Sequence, residues 1–404
     1  MSARRAVIVD VVRSPFGRGR ENGALAGVHP VDLYAETIAS LVRRTGIDPA
    51  LVEDVVTGCV IQVAEQAGNI GRQAALAAGL PETVPAVTLD RKCGSAQQAI
   101  DFAAQGVIAG AYDVVIAGGV EMMGTVPMRI NRMGKDSEGP RFKARYPQGL
   151  VHQGISADLI AARYGLTREA QDAYALRSQQ RAAADARDAA AGAGGSARDL
   201  VAIEVPQADG GVKRVTADEG IRGDTTIEKL AALKTPFEDA AMAARFPEIR
   251  WSVTAGNASQ VSDGASALLI CEEQTAARLG LAPRAAITHF AVTGDDPLLM
   301  LTGVIPATRK LLKRAGLAID AIDAFEVNEA FASVVLAWQQ AVGADPEKVN
   351  VFGGAIAIGH PVGASGGRLM ANLLRVLEAK NGRYGLQTMC ESGGMANATL
   401  VERF

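Results

Sequence analysis

The chain has 404 residues, 48% apolar and 21% charged, enough to bury a large core and to divide into subdomains. Its 41 Lys and Arg against 44 Asp and Glu leave a net charge of −3, so no global basic field draws it to nucleic acid or a membrane, and an anionic ligand needs a local cationic patch. Cys59, Cys93, Cys271 and Cys390 show no C-x-x-C or close Cys/His spacing, which argues against a metal site or disulfide framework and for free thiols in a reducing compartment. With no signal-length apolar segment and no run of about 18 apolar residues, the expectation is a cytoplasmic protein.

Residues 6–12 read as a buried strand and Asp32 to Thr45 as an amphipathic helix stopped by Gly46. A strand opens at Val55-Val56, Asn69 to Gly79 reads as a helix, and a turn from Pro81 to Pro85 leads into the apolar run Val84 to Leu89. That run stops at the charged turn Asp90-Arg91-Lys92. Cys93 follows at once, then Gly94-Ser95 and helical spacing through Ile100, Phe102 and Val107. A thiol at a helix start sees the positive dipole end and unpaired N–H groups, both of which favour the thiolate, so Cys93 is a candidate nucleophile. The alternative is a buried small hydrophobe, and only partners elsewhere decide between them. Tyr112 to Gly119 closes a β-α-β-α-β unit.

From Gly124 to Trp251 strand signals weaken and an Ala-rich helix runs from Thr167, its N-cap, toward Ala191, which marks an inserted subdomain. Strands return at Ser266 to Cys271 and from Ala285. Pro306 starts a helix that Gly316 ends, Ala324 to Val327 is a strand, and Asn328 to Val342 reads as a helix. After Val349 to Gly353 come a glycine-dense turn holding His360, a helix from Ser365 to Glu378 and a closing strand from Leu386 to Cys390. Each half therefore presents one reactive side chain before a helix, Cys93 in the first and His360 in the second, and a duplicated α/β architecture is expected.

His360 sits among glycines and alanines that permit close backbone approach to a ligand. Asn328 follows a strand directly, at the edge where α/β sheets place ligands, although Asn is also a good N-cap. Cys390 lies at another strand end before Gly393-Gly394, and alone would read as a core cysteine.

Two Cys, one His and one Asn at sheet ends match one family. On Cys93-Gly94-Ser95, Asn257-Ala258-Ser259 with Asp263-Gly264-Ala265, Asn328-Glu329-Ala330-Phe331-Ala332, Gly359-His360-Pro361 and Cys390, the chain resembles a thiolase over essentially its whole length. The resemblance implies a five-layered α/β/α/β/α fold of two similar halves. Residues 1–123 with 252–277 would form the first, 278–404 the second, and 124–251 a loop domain for CoA and substrate.

It further implies cleavage of a 3-ketoacyl-CoA by CoA to acetyl-CoA or propionyl-CoA and a shortened acyl-CoA, through a Cys93 acyl-enzyme. Cys390 would exchange the α-proton, His360 would activate Cys93 and donate to the thioester oxygen, and Asn328 would hold a water completing that oxyanion hole. The backbone N–H groups of Cys93 and Ser392 would form a second hole. CoA would be a substrate, with no permanently bound cofactor or metal. Its expected contacts are Arg222, His152, Ser259, Ala255, Phe237 and Phe331, with further cations from Met128 to Arg145. A homodimer or a tetramer of two dimers is expected.

Three departures stand out. Ser392 replaces the first glycine of the family's Cys-x-Gly-Gly-Gly, Gln153 stands where biosynthetic enzymes often carry Met, and the turn before Cys93 is unusually charged. The wording is most similar to bacterial catabolic thiolases, including those acting on steroid-ring fragments. The competing readings are a biosynthetic acetoacetyl-CoA thiolase, a β-ketoacyl synthase, which would need a second catalytic His, and a non-catalytic thiolase-like acyl-CoA or lipid binder.

Overall fold

The computed structural model describes residues 4–207 and 209–404, so the first three positions of the expected N-terminal half and position 208 of the expected loop domain lie outside the described residues. The first half contributes β1 (Ala6–Arg13), the two-residue β2 (Gly17–Arg18), β3 (Asp54–Gly58), β4 (Ala86–Leu89) and β5 (Val114–Met122). A separate hairpin, β6 (Ile203–Pro206) and β7 (Val212–Val215), precedes β8 (Ser262–Glu272), which returns to the main sheet. The second half contributes β9 (Ala285–Gly294), β10 (Ala324–Val327), β11 (Tyr384–Glu391) and β12 (Met395–Arg403).

The order is β10-β11-β12-β9-β1-β8-β5-β3-β4, with β2 on β8. Read outward from the centre, each half repeats one scheme: two antiparallel pairings, then parallel ones. The second half ends in the isolated parallel bridge of Phe325 with Val349, which stands where the first half has β4. The halves join where β1 runs antiparallel to β9, with Ala6 opposite Ile287. The expected duplication is thus present in the pairing itself.

Helices fill three layers. Pro30–Thr45 and Ile70–Ala77 cover the outer face of the first half, burying Leu33, Tyr34, Ile38 and Leu41 with Val55 and Ile116. Val304–Ala315 and Ala332–Val342 cover the second, where Trp338 meets Phe325 edge-on with ring centroids 5.4 Å apart. Between the halves lie Ser95–Ala109 and Ser365–Ala379, in one cluster with Leu268 and Ile270 of β8, Ala324 of β10 and Val401 of β12. This is the α/β/α/β/α arrangement. The two central helices meet at their N-termini because glycine allows it: a Cβ on Gly366 would lie 2.3 Å from the Gln97 nitrogen.

The sequence pattern erred in two places that bear on the site. The helix expected from Asn328 begins at Ala332, with Phe331 extended at its N-cap (φ −147°), so Asn328 is not a cap and its side chain is free for other work. Nor is Leu386 to Cys390 the closing strand. β12 follows it, a run of Ala396, Asn397, Ala398 and Thr399 whose small and polar residues offered no apolar signal yet are buried.

Residues 124–251 add no strand to the main sheet among the described residues. Their long helix is Arg168–Ala190, capped by Thr167 as expected, with Ala170 N–H donating to its hydroxyl at 3.2 Å. Buried ion pairs tie this segment to the core. Arg13 of β1 holds Asp218 with two hydrogen bonds of 2.7 and 2.8 Å, and Arg375 reaches Asp185 at 2.7 Å and Asp199 at 2.6 Å.

Candidate active site

Local side chains build the turn that presents Cys93. The Asp90 carboxylate accepts from Lys92 N–H at 2.7 Å and pairs with its ammonium at 2.6 Å. The Ser95 hydroxyl accepts from Arg91 N–H at 2.8 Å and donates to the Lys92 carbonyl at 2.6 Å. Together they hold Lys92 in the left-handed region, φ +50°, which costs a non-glycine residue roughly 1–2 kcal/mol. The charge before the nucleophile is therefore the scaffold of its turn.

Cys93 stands one residue before the N-cap, Gly94. Contrary to the sequence expectation, its thiol is pushed up: burial, then neighbouring Cys390 and Glu391, outweigh its own N–H and Lys92. The thiolate has to be made by proton transfer rather than held at rest.

The other three expected catalytic residues converge. The Asn328 amide nitrogen lies 3.4 Å from His360 Nε2 and 3.8 Å from Cys390 Sγ, and its amide oxygen is buried without a partner in the protein. His360 Nδ1 lies 2.7 Å from the Ser365 hydroxyl. Burial, reinforced by Arg368, lowers His360 to about 3, so the ring is neutral at ordinary pH. Burial likewise pushes Cys390 up to about 12, against the lowering contact with Asn328. Gly359 (φ +117°) lets the turn pass Ser262, whose hydroxyl would sit 2.4 Å from an added Cβ and which instead accepts from His360 N–H at 3.0 Å.

Cys93, His360 and Ser392 line one cavity of about 240 Å³. Ser392 is not among the residues with positive φ; Gly393 (+97°) and Gly394 (+78°) take those angles, so the serine fits its backbone without strain. Of the expected CoA contacts, Phe237, Ser259 and Phe331 line this cavity. His152 does not line it, but its ring stacks on Phe237 (5.2 Å, 28°), and Phe237 meets Phe331 edge-on at 6.4 Å. Ala255 and Arg222 line no cavity near Cys93. Arg222 is exposed, beside Arg18 and Arg20, whose like charge lowers it further after partial burial. Gln260, on the cavity wall, donates to Gly220 O at 3.1 Å and so joins this cationic cluster to the cavity.

Sequence reasoning missed four supports. Glu329 accepts from Tyr174 and Ser178 of the insertion and from Asn350 and Ile356 N–H, joining three segments beside His360. Glu391 is buried with both oxygens unpartnered, so near Gly94 that an added Cβ would lie 2.2 Å from Oε1. Ser365 sets the His360 ring, and Arg18 with Arg20 adds to the Arg222 cluster. Glu329, Ser365 and Glu391 carried a signal as neighbours of motif residues; Arg18 and Arg20 carried none. No group of His, Cys, Asp and Glu among the described residues is placed to hold a metal ion.

Models of the thiolase N-terminal and C-terminal domains match residues 6–274 and 281–403. The chain is 46% identical to a steroid 3-ketoacyl-CoA thiolase of Mycobacterium tuberculosis, covering 98% of this chain and 94% of that one. It is 43% identical to a 3-ketoacyl-CoA thiolase of Shewanella denitrificans, covering 99% and 100%. The crystal structure of human mitochondrial 3-ketoacyl-CoA thiolase superposes with a TM-score of 0.86 at 32% identity over the full length of both chains. The chain belongs to the thiolase family and is an acyltransferase.

Proposed function

We propose that the protein cleaves 3-ketoacyl-CoA thioesters with CoA, using Cys93 as nucleophile, His360 and Cys390 as proton carriers and Asn328 as oxyanion support. The observation that carries this reading is the Asn328 amide, set between His360 Nε2 and Cys390 Sγ beside the cavity that holds Cys93. The Ser365 hydroxyl donates to Pro361 O at 2.8 Å and therefore accepts from His360 Nδ1–H, which leaves Nε2 unprotonated, its lone pair facing only the long 3.4 Å contact from the Asn328 amide N–H.

Nε2 takes the Cys93 proton as sulfur attacks the 3-keto carbon. The C2–C3 bond breaks, its electron pair passes into the acetyl-CoA or propionyl-CoA enolate, and the Cys390 thiol protonates C2. The enolate oxygen is held by His360 and an Asn328-bound water, and the acyl-enzyme oxygen by the N–H groups of Cys93 and Ser392. CoA then gives its proton to Cys390 and attacks the thioester, and Cys93 leaves and recovers its proton from His360. CoA enters along His152, Phe237, Ser259, Ala255 and Phe331, with its phosphates toward Arg222.

The same reading treats residues 124–251 as a loop domain over two halves, 1–123 with 252–277 and 278–404, in a cytoplasmic homodimer or dimer of dimers. Edge strand β4, with Val87 45% exposed, supports association by strand pairing. A monomer in sedimentation at micromolar concentration would count against it. The function is tested by CoA-dependent cleavage of 3-ketoacyl-CoA substrates from acetoacetyl to a bulky cyclic one. Cleavage of any of them, lost in Cys93→Ala, is expected; a folded protein that binds CoA and cleaves none would overturn the reading.

A further inference from the structure

Glu391 is a buried acid with no part in the cleavage steps. It follows Cys390 at the end of β11, and neither of its carboxyl oxygens has a partner in the protein. The carboxyl packs against Gly94, the residue after Cys93. Gly94 has an ordinary φ of −83°, so its missing side chain serves space and not backbone angle: a Cβ would lie 2.2 Å from Glu391 Oε1 and 2.9 Å from Cδ. Asn397 of β12 grips the same residue, donating to Gly94 O at 3.1 Å. One acid thus touches the turn of the nucleophile and adjoins the second thiol in sequence.

The surroundings of this carboxyl hold a surplus of acceptors. Asn397 Oδ1, and Oδ2 of Asp101 on the central helix Ser95–Ala109, are also buried without a partner, while Asp101 Oδ1 accepts from the Thr399 hydroxyl at 2.6 Å. The charged groups that act on Glu391 are Arg91 and Asp90 of the turn and Asp101 of the helix; β12 faces it with the neutral Asn397, and Cys390 precedes it on its own strand. A carboxylate is costly in so dry a place, and a protonated carboxyl brings a donor to it. Burial accordingly raises Glu391 to about 8, opposed by Arg91 and aided by Asp101 and Asp90.

The charge of Glu391 reaches both thiols. When negative, it opposes ionisation of Cys93, which loses its proton to attack, and of Cys390, which gives its proton to C2. We propose that Glu391 is a positioning residue that supports the Cys93 turn through Gly94 as a neutral acid and, as a carboxylate, disfavours the Cys93 thiolate. Its consequence for turnover rests on the thiolase reading above; its effect on the thiol does not.

The test is the rate at which iodoacetamide alkylates Cys93 from pH 6 to pH 10, read by peptide mapping of the full-length protein. Thiolate formation alone raises that rate about tenfold per pH unit. In the wild type the rise should flatten as Glu391 ionises, whereas in Glu391→Gln it should continue, so that the ratio of variant to wild type grows about tenfold between pH 6 and pH 9. Arg91→Met removes the opposing cation from a half-buried turn and should move the flattening to higher pH; it carries the test if the glutamine variant does not fold. A ratio constant with pH would mark a merely structural effect and overturn the proposal. So would flattening that persists in Glu391→Gln and disappears in Asp101→Asn, which would assign the charge to Asp101, or flattening that Arg91→Met leaves in place. Failure of the folded wild type to cleave any 3-ketoacyl-CoA would remove the thiolase reading, while the alkylation profiles would still decide the role of Glu391.

Discussion

The Ser365 hydroxyl accepts from His360 Nδ1 at 2.7 Å while donating to the Pro361 carbonyl at 2.8 Å, so one serine decides which imidazole nitrogen can receive a proton. Because the same helix carries Ser365 and packs between the two halves of the main sheet, the ring's orientation is fixed by the core.

Ser365→Ala removes that choice without opening a large cavity. Steady-state cleavage should fall on the order of tenfold to a hundredfold, through kcat, with little change in thermal midpoint. Ser365→Thr, which keeps the hydroxyl, should recover part of the rate. An unchanged kcat in the alanine variant would show that the tautomer is set elsewhere.

Cys93 and Cys390 should separate by reaction. Cys390→Ala is expected to keep acyl transfer from a simple thioester to Cys93 and to lose exchange of the acetyl-CoA α-protons with deuterated water. Equal loss of both activities would contradict the division of proton carrier from nucleophile.

The first-half motif was legible because it is local: strand, charged turn, thiol and helix are one short stretch, and β4, the turn and the helix appear where spacing placed them. The Asn328 helix start failed because a residue type that caps helices was instead serving His360 and Cys390, a tertiary contact that no local pattern contains. β12 failed for a related reason: Ala396 and Ala398 are buried under the outer helices of the second half, and Asn397 and Thr399 against the central helix through Gly94 O and Asp101, contacts no local pattern contains. The cavity at Cys93 brings together residues as far apart in sequence as Val60, Phe237, His360 and Ser392, and only the fold shows it.

Glu391 sets a pH dependence of stability. Burial raises its carboxyl from 4.5 to about 8, opposed by Arg91 and aided by Asp101 and Asp90, while Cys93 lies close by. A raised acid contributes stability that is complete below its unfolded value and lost as pH climbs through its folded value. Asp101, also raised to about 8 by burial, acts in the same sense; lowered His360 acts only on the acid side. The thermal midpoint should therefore decline from pH 5 to pH 9, and less so in Glu391→Gln. Parallel curves for the two proteins would refute this.

Arg13 should be a stability residue with no direct chemical role. Arg13→Met leaves the Asp218 carboxylate buried and uncompensated, which typically costs about 3–5 kcal/mol. Denaturant unfolding measures it, and the double variant Arg13→Met with Asp218→Leu should regain much of the loss. No loss in the single variant would mean that the pair does not anchor the insertion.

The most direct measurement is the mass of the protein after incubation with a 3-ketoacyl-CoA in the absence of free CoA, followed by peptide mapping. A Cys93 nucleophile predicts one acyl group on the peptide containing Cys93, formed far more slowly in Cys390→Ala, absent in Cys93→Ala and discharged by added CoA. An acyl group on any other residue, or turnover in Cys93→Ala, would contradict it.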